Sequence, residues 1–156
     1  MSFTSDRYDL GLVPCTSKKR PDGTTPTSLY MGGPFAAMMK HAQQRCGRIL
    51  IMSAKYGLLR LDEPVSYYDA YLPDLDQAQR AALIGRVRCQ VESMRPWFQH
   101  QRILSYLPKA YFELLAEAEP SLCASIRRPY KRMSRLTLIA TLSAENKNYG
   151  KNPAMR

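Results

Sequence analysis

Three short clusters in this 156-residue chain hold side chains able to act on a substrate. Cys15, Ser17, Lys18 and Lys19 follow Pro14 in the first; Ser53, Lys55, Tyr56 and Gly57 form the second; Tyr68 and Asp69 form the third. Cations beside a thiol favour its nucleophilic thiolate form, which makes Cys15 a candidate catalytic group. Lys19 or Lys18 becomes an amine nucleophile where burial or neighbouring cations lower its pKa. Asp69 suits activation of water, or stabilisation of the positive charge on a sugar that is losing its base. Ser53 and Cys15 are placed to polarise a ligand. Ser17, Lys18 and Lys55, together with backbone amides, suit a phosphate or an anionic transition state. The rings of Tyr30, Tyr56 and Tyr68 could stack on a base, a contact worth roughly 1–3 kcal/mol each in single-strand binders. Each residue also has an ordinary role open to it: Asp69 paired with a lysine, Cys15 packed at a strand end, the tyrosines in a core.

The elements that must position these clusters follow from apolar runs and breakers. Tyr8 to Val13 reads as a strand that stops at Pro14. A long polar loop leads to Pro34, which opens a helix with Phe35, Met38, Met39, Ala42 and Cys46 on one face and Gly47 as its terminator. Ile49 to Met52 reads as a buried strand, broken by Ser53–Gly57. Asp74 or Asp76 caps a helix from Gln77 to Met94, with Leu83, Val87, Val91 and Met94 as its stripe. Ile103 to Tyr106 is a third strand, and Pro108 starts a helix that closes near Pro120. This alternation predicts an α/β fold of three layers, a mainly parallel central sheet flanked by helices, with the three clusters meeting at one sheet edge. Residues 128–145 read either as a helix carrying Arg128, Lys131, Arg132 and Arg135 on one cationic face, or as a strand through Leu136–Ile139. A single domain over 1–145 and a loose basic tail over 146–156 are expected.

Composition narrows the partners. Net charge is +10, and residues 127–156 hold eight Lys/Arg against the single Glu145, so most of the excess lies at one end. Such asymmetry favours a polyanion, most often nucleic acid, with the C-terminal cations on phosphates. The four cysteines form no C-x-x-C pair and the two histidines, His41 and His100, lack partners at ligand spacing, so neither a metal nor a cofactor is expected. No run approaches the roughly 18 apolar residues of a membrane span, and the N-terminus has no signal segment, so no membrane partner and a cytoplasmic setting are expected. Oligomeric state is left open.

Two blocks carry a family resemblance. Pro14-Cys15, Lys19, Ser28, Tyr30 and Phe35 resemble the P-C-x-x-x-K…S…F signature in the core domain of archaeosine synthase, where the lysine-bearing loop handles a 7-deazaguanine base in transfer RNA. Ser53-Ala54-Lys55-Tyr56-Gly57-Leu58-Leu59, leading to Tyr68-Asp69, resembles the S-x-x-Y-G-x-L…Y segment of the YaaA peroxide-stress family, whose members bind DNA. Together they are similar to a widespread family of small bacterial and phage domains. The resemblance covers roughly residues 8–72. It implies a fold distantly like uracil-DNA glycosylases and a site at Cys15, Lys19, Ser53, Tyr56 and Asp69. The motif's proline directly after the lysine falls here at Pro21, behind Arg20, and neither the RNA-binding domain of archaeosine synthase nor a helix-hairpin-helix is evident.

The expected function is a nucleic-acid-binding protein, with DNA favoured over RNA, that recognises and processes a nucleobase, modified or not, by N-glycosidic cleavage or base modification. Two alternatives remain: a non-enzymatic DNA-binding module of the peroxide-stress type, and an enzyme acting on a free nucleotide or nucleoside.

Overall fold

The computed structural model describes residues 7–149 and 151. Its strands are β1 (Tyr8–Pro14), β2 (Cys46–Ser53), β3 (Gly57–Arg60), β4 (Ile103–Ser105) and β5 (Ile126–Arg127). They form one sheet in the order β3-β2-β1-β4-β5. β1 pairs in parallel with β2 and β4, and β4 with β5, while β3 returns antiparallel along β2. The fold is therefore α/β, with a mixed and mostly parallel sheet.

Alternation along the strands divides the core between the two faces, as the twofold period of a pleated strand requires. Leu10, Leu12, Leu50 and Met52 belong to one buried cluster, and Val13, Ile49, Ile51 and Leu104 to the other. Two single-turn helices, α1 (Pro26–Leu29) and α4 (Arg95–Phe98), fill corners. The first face is covered by α3 (Gln77–Ser93), through Leu83, Val87 and Val91, and by α5 (Lys109–Ala118), through Leu114 and Leu115. The second is covered by α2 (Gly33–Arg45), through Phe35, Met38, Met39 and Ala42, and by α6 (Arg135–Asn148), through Leu142. With both faces covered, the centre of the sheet sees no water, which explains the unbroken apolar runs.

Local chemistry fixes the element ends. Asp76 caps α3: its carboxylate accepts from the Gln79 amide at 2.7 Å, and the Gln79 side chain accepts from the Asp76 amide at 3.0 Å. The β2–β3 turn closes at Gly57, whose φ of +74° suits glycine, and where a Cβ would also run into the Gln90 side chain. Gln90 of α3 pins that hairpin. Its Oε1 accepts from the Leu58 amide at 2.7 Å, and its Nε2 donates to the carbonyls of Tyr56 at 2.9 Å and Leu58 at 3.1 Å.

Several expectations are corrected. Gly47 does not end α2; the helix stops at Arg45 and Gly47 lies within β2, which starts at Cys46. Gly57–Arg60, at and beyond the expected break, form a strand of their own, β3. Residues 128–145 are neither one helix nor a strand through Leu136. Arg127 ends β5, residues 128–134 form turns, and the helix begins at Arg135. Pro129 disfavours a helical Arg128, and Ser134 caps α6 by accepting from the Thr137 amide at 3.2 Å, so Arg128, Lys131 and Arg132 lie outside the helix that Arg135 opens. α6 continues through Asn148, beyond the expected start of the tail. Asn146 donates to the Ala37 carbonyl at 3.2 Å, and Tyr149 to the Gln44 carbonyl at 2.6 Å. The tail positions 150 and 152–156 lie outside the described residues.

Candidate functional site

The chain leaves β1 toward α2 on one face of the sheet and leaves β4 toward α5 on the other. β1 and β4 are neighbours, so their diverging exits open a crevice at the carboxyl edge, the place where open α/β sheets take ligands. A cleft of about 460 Å³ lies there. It is lined by Cys15, Ser17 and Lys19 from the loop after β1, and by Ser105 and Tyr106 at the end of β4. Asp69 and Tyr71, Tyr111 of α5, and Arg128, Tyr130, Lys131 and Arg135 complete the lining. Cys15, Lys19 and Asp69, 50 or more residues apart in part, thus share one cavity, as the strand–helix alternation predicts.

The cleft's charges are unbalanced. Lys19, Arg128, Lys131 and Arg135 face a single carboxylate, Asp69, and among the described residues none of the five is in an ion pair. Elsewhere cations do find acids: Arg80 meets Glu117 at 3.1 Å and Lys109 meets Glu113 at 3.7 Å. The Lys19 ammonium lies 4.5 Å from the centre of the Tyr68 ring. The Arg128 guanidinium lies 3.9 Å over Phe112, and its buried Nε–H has no hydrogen-bond acceptor. Four cations outside any ion pair, on a concave surface with aromatic walls, are chemically suited to an anion that also carries an apolar or heterocyclic part.

Cys15 Sγ lies 3.3 Å from the Tyr111 hydroxyl. Burial first, and then the charge of a Cys15 thiolate, hold that hydroxyl protonated well above the ordinary tyrosine range, so it keeps a proton that it can donate to the sulfur. Tyr71 is 60% exposed at the cleft and offers an open ring.

Ser53, Tyr68 and Tyr30 have a different place. Ser53 is fully buried, and its Oγ accepts from the amides of Lys55 at 3.1 Å and Tyr56 at 3.0 Å. Both lone pairs are then used, so its proton goes to the Tyr68 hydroxyl, 2.7 Å away, and Tyr68 in turn donates to Tyr30 at 2.5 Å. Burial, the largest effect, pushes the Tyr30 hydroxyl up to about 12 and Tyr68 higher still. Tyr30 and Tyr68 are 2% and 5% exposed, so neither presents an open face to a base, and Ser53 polarises the protein's own tyrosines rather than a ligand. The network carries the cleft instead: the backbone of Lys19 bridges to Tyr30, and the Tyr68 ring underlies the Lys19 ammonium.

The remaining expected residues divide. Ser17 lines the cleft and is exposed. Lys18 and Arg132 are exposed outside its lining, although the Lys18 carbonyl anchors the loop by accepting from Thr16 Oγ1 at 2.8 Å. Tyr56 is half-buried, its ring 5.3 Å from that of Tyr68. Lys55, exposed, lines a second depression of about 470 Å³ that shares Asp69 and Ala70 with the cleft. Tyr111 and Tyr130 also line the cleft, although nothing in the sequence singles them out as site residues.

Behind the cleft, His41 is buried between α2, β4 and α6. Its Nδ1 accepts from the Tyr106 hydroxyl, and its Nε2–H donates to Glu145 Oε2 at 2.7 Å, which also accepts from Tyr130 at 2.9 Å. Burial first, and then Arg45, lower the imidazole to about 4 against the pull of Glu145, so His41 is neutral at pH 7. All four cysteines are free, and among the described residues no helix is long and apolar enough to cross a membrane.

Fold and site together define a three-layer α/β protein with a cationic, aromatic-walled cleft at the switch point of its sheet. The chain belongs to the family of unknown function DUF6884, which residues 10–142 match. No curated protein matches the chain. No solved structure matches it either.

Proposed function

We propose that the chain binds a nucleic-acid strand, takes one of its nucleobases into the 460 Å³ cleft, and processes that base by N-glycosidic cleavage or modification. The observation that carries this reading is the convergence of Cys15, Lys19 and Asp69 on a cleft with four unpaired cations and open aromatic walls. Such a lining pairs with a phosphate at one end and a heterocycle at the other. The archaeosine synthase and YaaA resemblance, which rests on the same Cys15–Lys19 and Ser53–Asp69 blocks, supports it.

In cleavage, Asp69 accepts a proton from a water whose oxygen bonds to the sugar C1′. As the C1′–N bond breaks, its electron pair leaves with the base nitrogen, which takes a proton from the Lys19 ammonium. Solvent then returns both groups to their starting states. Arg128, Lys131 and Arg135 hold phosphates without reading sequence, with Arg132 exposed beside them. Tyr71 stacks on the base, and Cys15 with Tyr111 polarises its edge.

The test is incubation of wild type, Lys19→Ala and Asp69→Asn with single-stranded and duplex DNA carrying a panel of modified bases, read by mass spectrometry, with RNA and free nucleotides in parallel. The expected result is one released or altered base with wild type, and a loss of about 10²-fold or more in either variant, the usual scale of acid–base catalysis. Wild type that binds DNA but leaves every base intact makes the chain a binding module and ends the enzymatic reading. Action on free nucleotides alone makes a small molecule the substrate, an outcome compatible with a cleft that holds one nucleotide unit.

A further inference from the structure

The cleft has a neighbour that the proposed chemistry leaves unused. The depression of about 470 Å³ across Asp69 is lined by Lys55, Gln79 and Arg86 over an apolar base that includes Leu75 and Leu83. Asp69 and Ala70 line both hollows and so form the boundary between them. Among the described residues neither Lys55 nor Arg86 has an ion-pair partner. Among the described residues, Asp69 is the only carboxylate lining the two hollows, against six cations. Each hollow is of the size that holds one small-molecule unit, and the pair repeats one pattern: cations beside apolar surface.

We infer that the two hollows are successive subsites for one strand, so that the substrate is a phosphodiester-linked chain of at least two nucleotides lying across Asp69. The reacting unit occupies the deeper cleft. Its neighbour rests on the apolar base of the second hollow, with its phosphate between Lys55 and Arg86. This arrangement places the bond to be attacked beside Asp69, at the crossing point, and makes a strand the preferred ligand over a free nucleotide. The inference rests on the nucleic-acid reading above.

The experiment is calorimetric titration of the full chain with deoxynucleoside 5′-monophosphates and with the matching 5′-phosphorylated dinucleotides. The variants are Lys55→Ala/Arg86→Ala and, as a control for lost net charge, Lys40→Ala/Lys147→Ala, both cations being exposed away from the hollows. Wild type is expected to bind the dinucleotide at least tenfold more tightly than the mononucleotide. In Lys55→Ala/Arg86→Ala that ratio falls toward one, and in the control it stays at the wild-type value. With a single-stranded hexanucleotide, the slope of log K against log salt becomes shallower by about 0.7 in Lys55→Ala/Arg86→Ala, from loss of the one phosphate held between the two cations. Equal binding of mono- and dinucleotide by wild type, or an equal fall of the ratio in the control, overturns the inference while leaving the first cleft standing. Absence of binding by every nucleotide overturns the nucleic-acid reading and this inference with it.

Discussion

Acid should destabilise this protein through His41 before most of its carboxylates are protonated. The imidazole is 1% exposed and fully engaged in its neutral form, receiving a hydrogen bond on Nδ1 and donating one from Nε2. A second proton would turn the Tyr106 hydroxyl from donor to acceptor and place a charge in a buried site, where Arg45 adds repulsion. The folded chain therefore protonates His41 only near pH 4, whereas the unfolded chain does so near 6.5. Above pH 6.5 both states carry a neutral ring and the stability it supports is fully present. Between pH 6.5 and 4 the unfolded state alone takes up the proton, and stability falls by about 1.4 kcal/mol for each pH unit, about 3 kcal/mol in all, levelling below pH 4. Urea unfolding at half-unit steps from pH 7.5 to 4 would measure this, with His41→Gln beside wild type. Glutamine keeps an acceptor and a donor but does not titrate. Wild type should lose about 3 kcal/mol more than His41→Gln over the window, on a scale where whole domains hold 5–15 kcal/mol. Parallel profiles for the two proteins would refute the argument.

Two further substitutions test the supports of the site. Gln90→Leu removes three hydrogen bonds to the β2–β3 hairpin and should cost about 3 kcal/mol in urea unfolding, with early hydrogen exchange at Leu58. Ser53→Ala leaves the amides of Lys55 and Tyr56 without their acceptor and Tyr68 without its donor; it should cost about 2–3 kcal/mol and loosen the loop that carries Lys19.

How much of this was legible in the chain depends on the range of the interaction. Ile49–Met52, bounded by Gly47 and Ser53, announces a buried strand locally, and the spacing of Pro14, Pro34 and Pro108 marks where strands give way to helices. From those the parallel alternation follows, and with it the meeting of Cys15, Lys19 and Asp69. The hairpin escaped notice because its turn, Ser53–Gly57, reads as an end; the apolar pair Leu58-Leu59 just beyond Gly57 was the available signal. The cationic helix failed for a local reason that was visible, Pro129 and Ser134 inside the proposed span. The tyrosines failed for one that was not. Tyr30 and Tyr68 are 38 residues apart, and His41 and Glu145 are 104 apart, so no window of sequence shows that these polar groups satisfy one another in the interior.

The sheet's outer margins have a consequence for handling the protein. β5 is two residues long and β3 four, so a foreign strand aligned along either margin would gain only a few rungs of backbone pairing before the template runs out. Growth of the sheet by recruiting further copies is thus blunted at both ends. Concentrated samples should resist fibrillar self-association, even though the strands between those margins are among the most apolar parts of the chain.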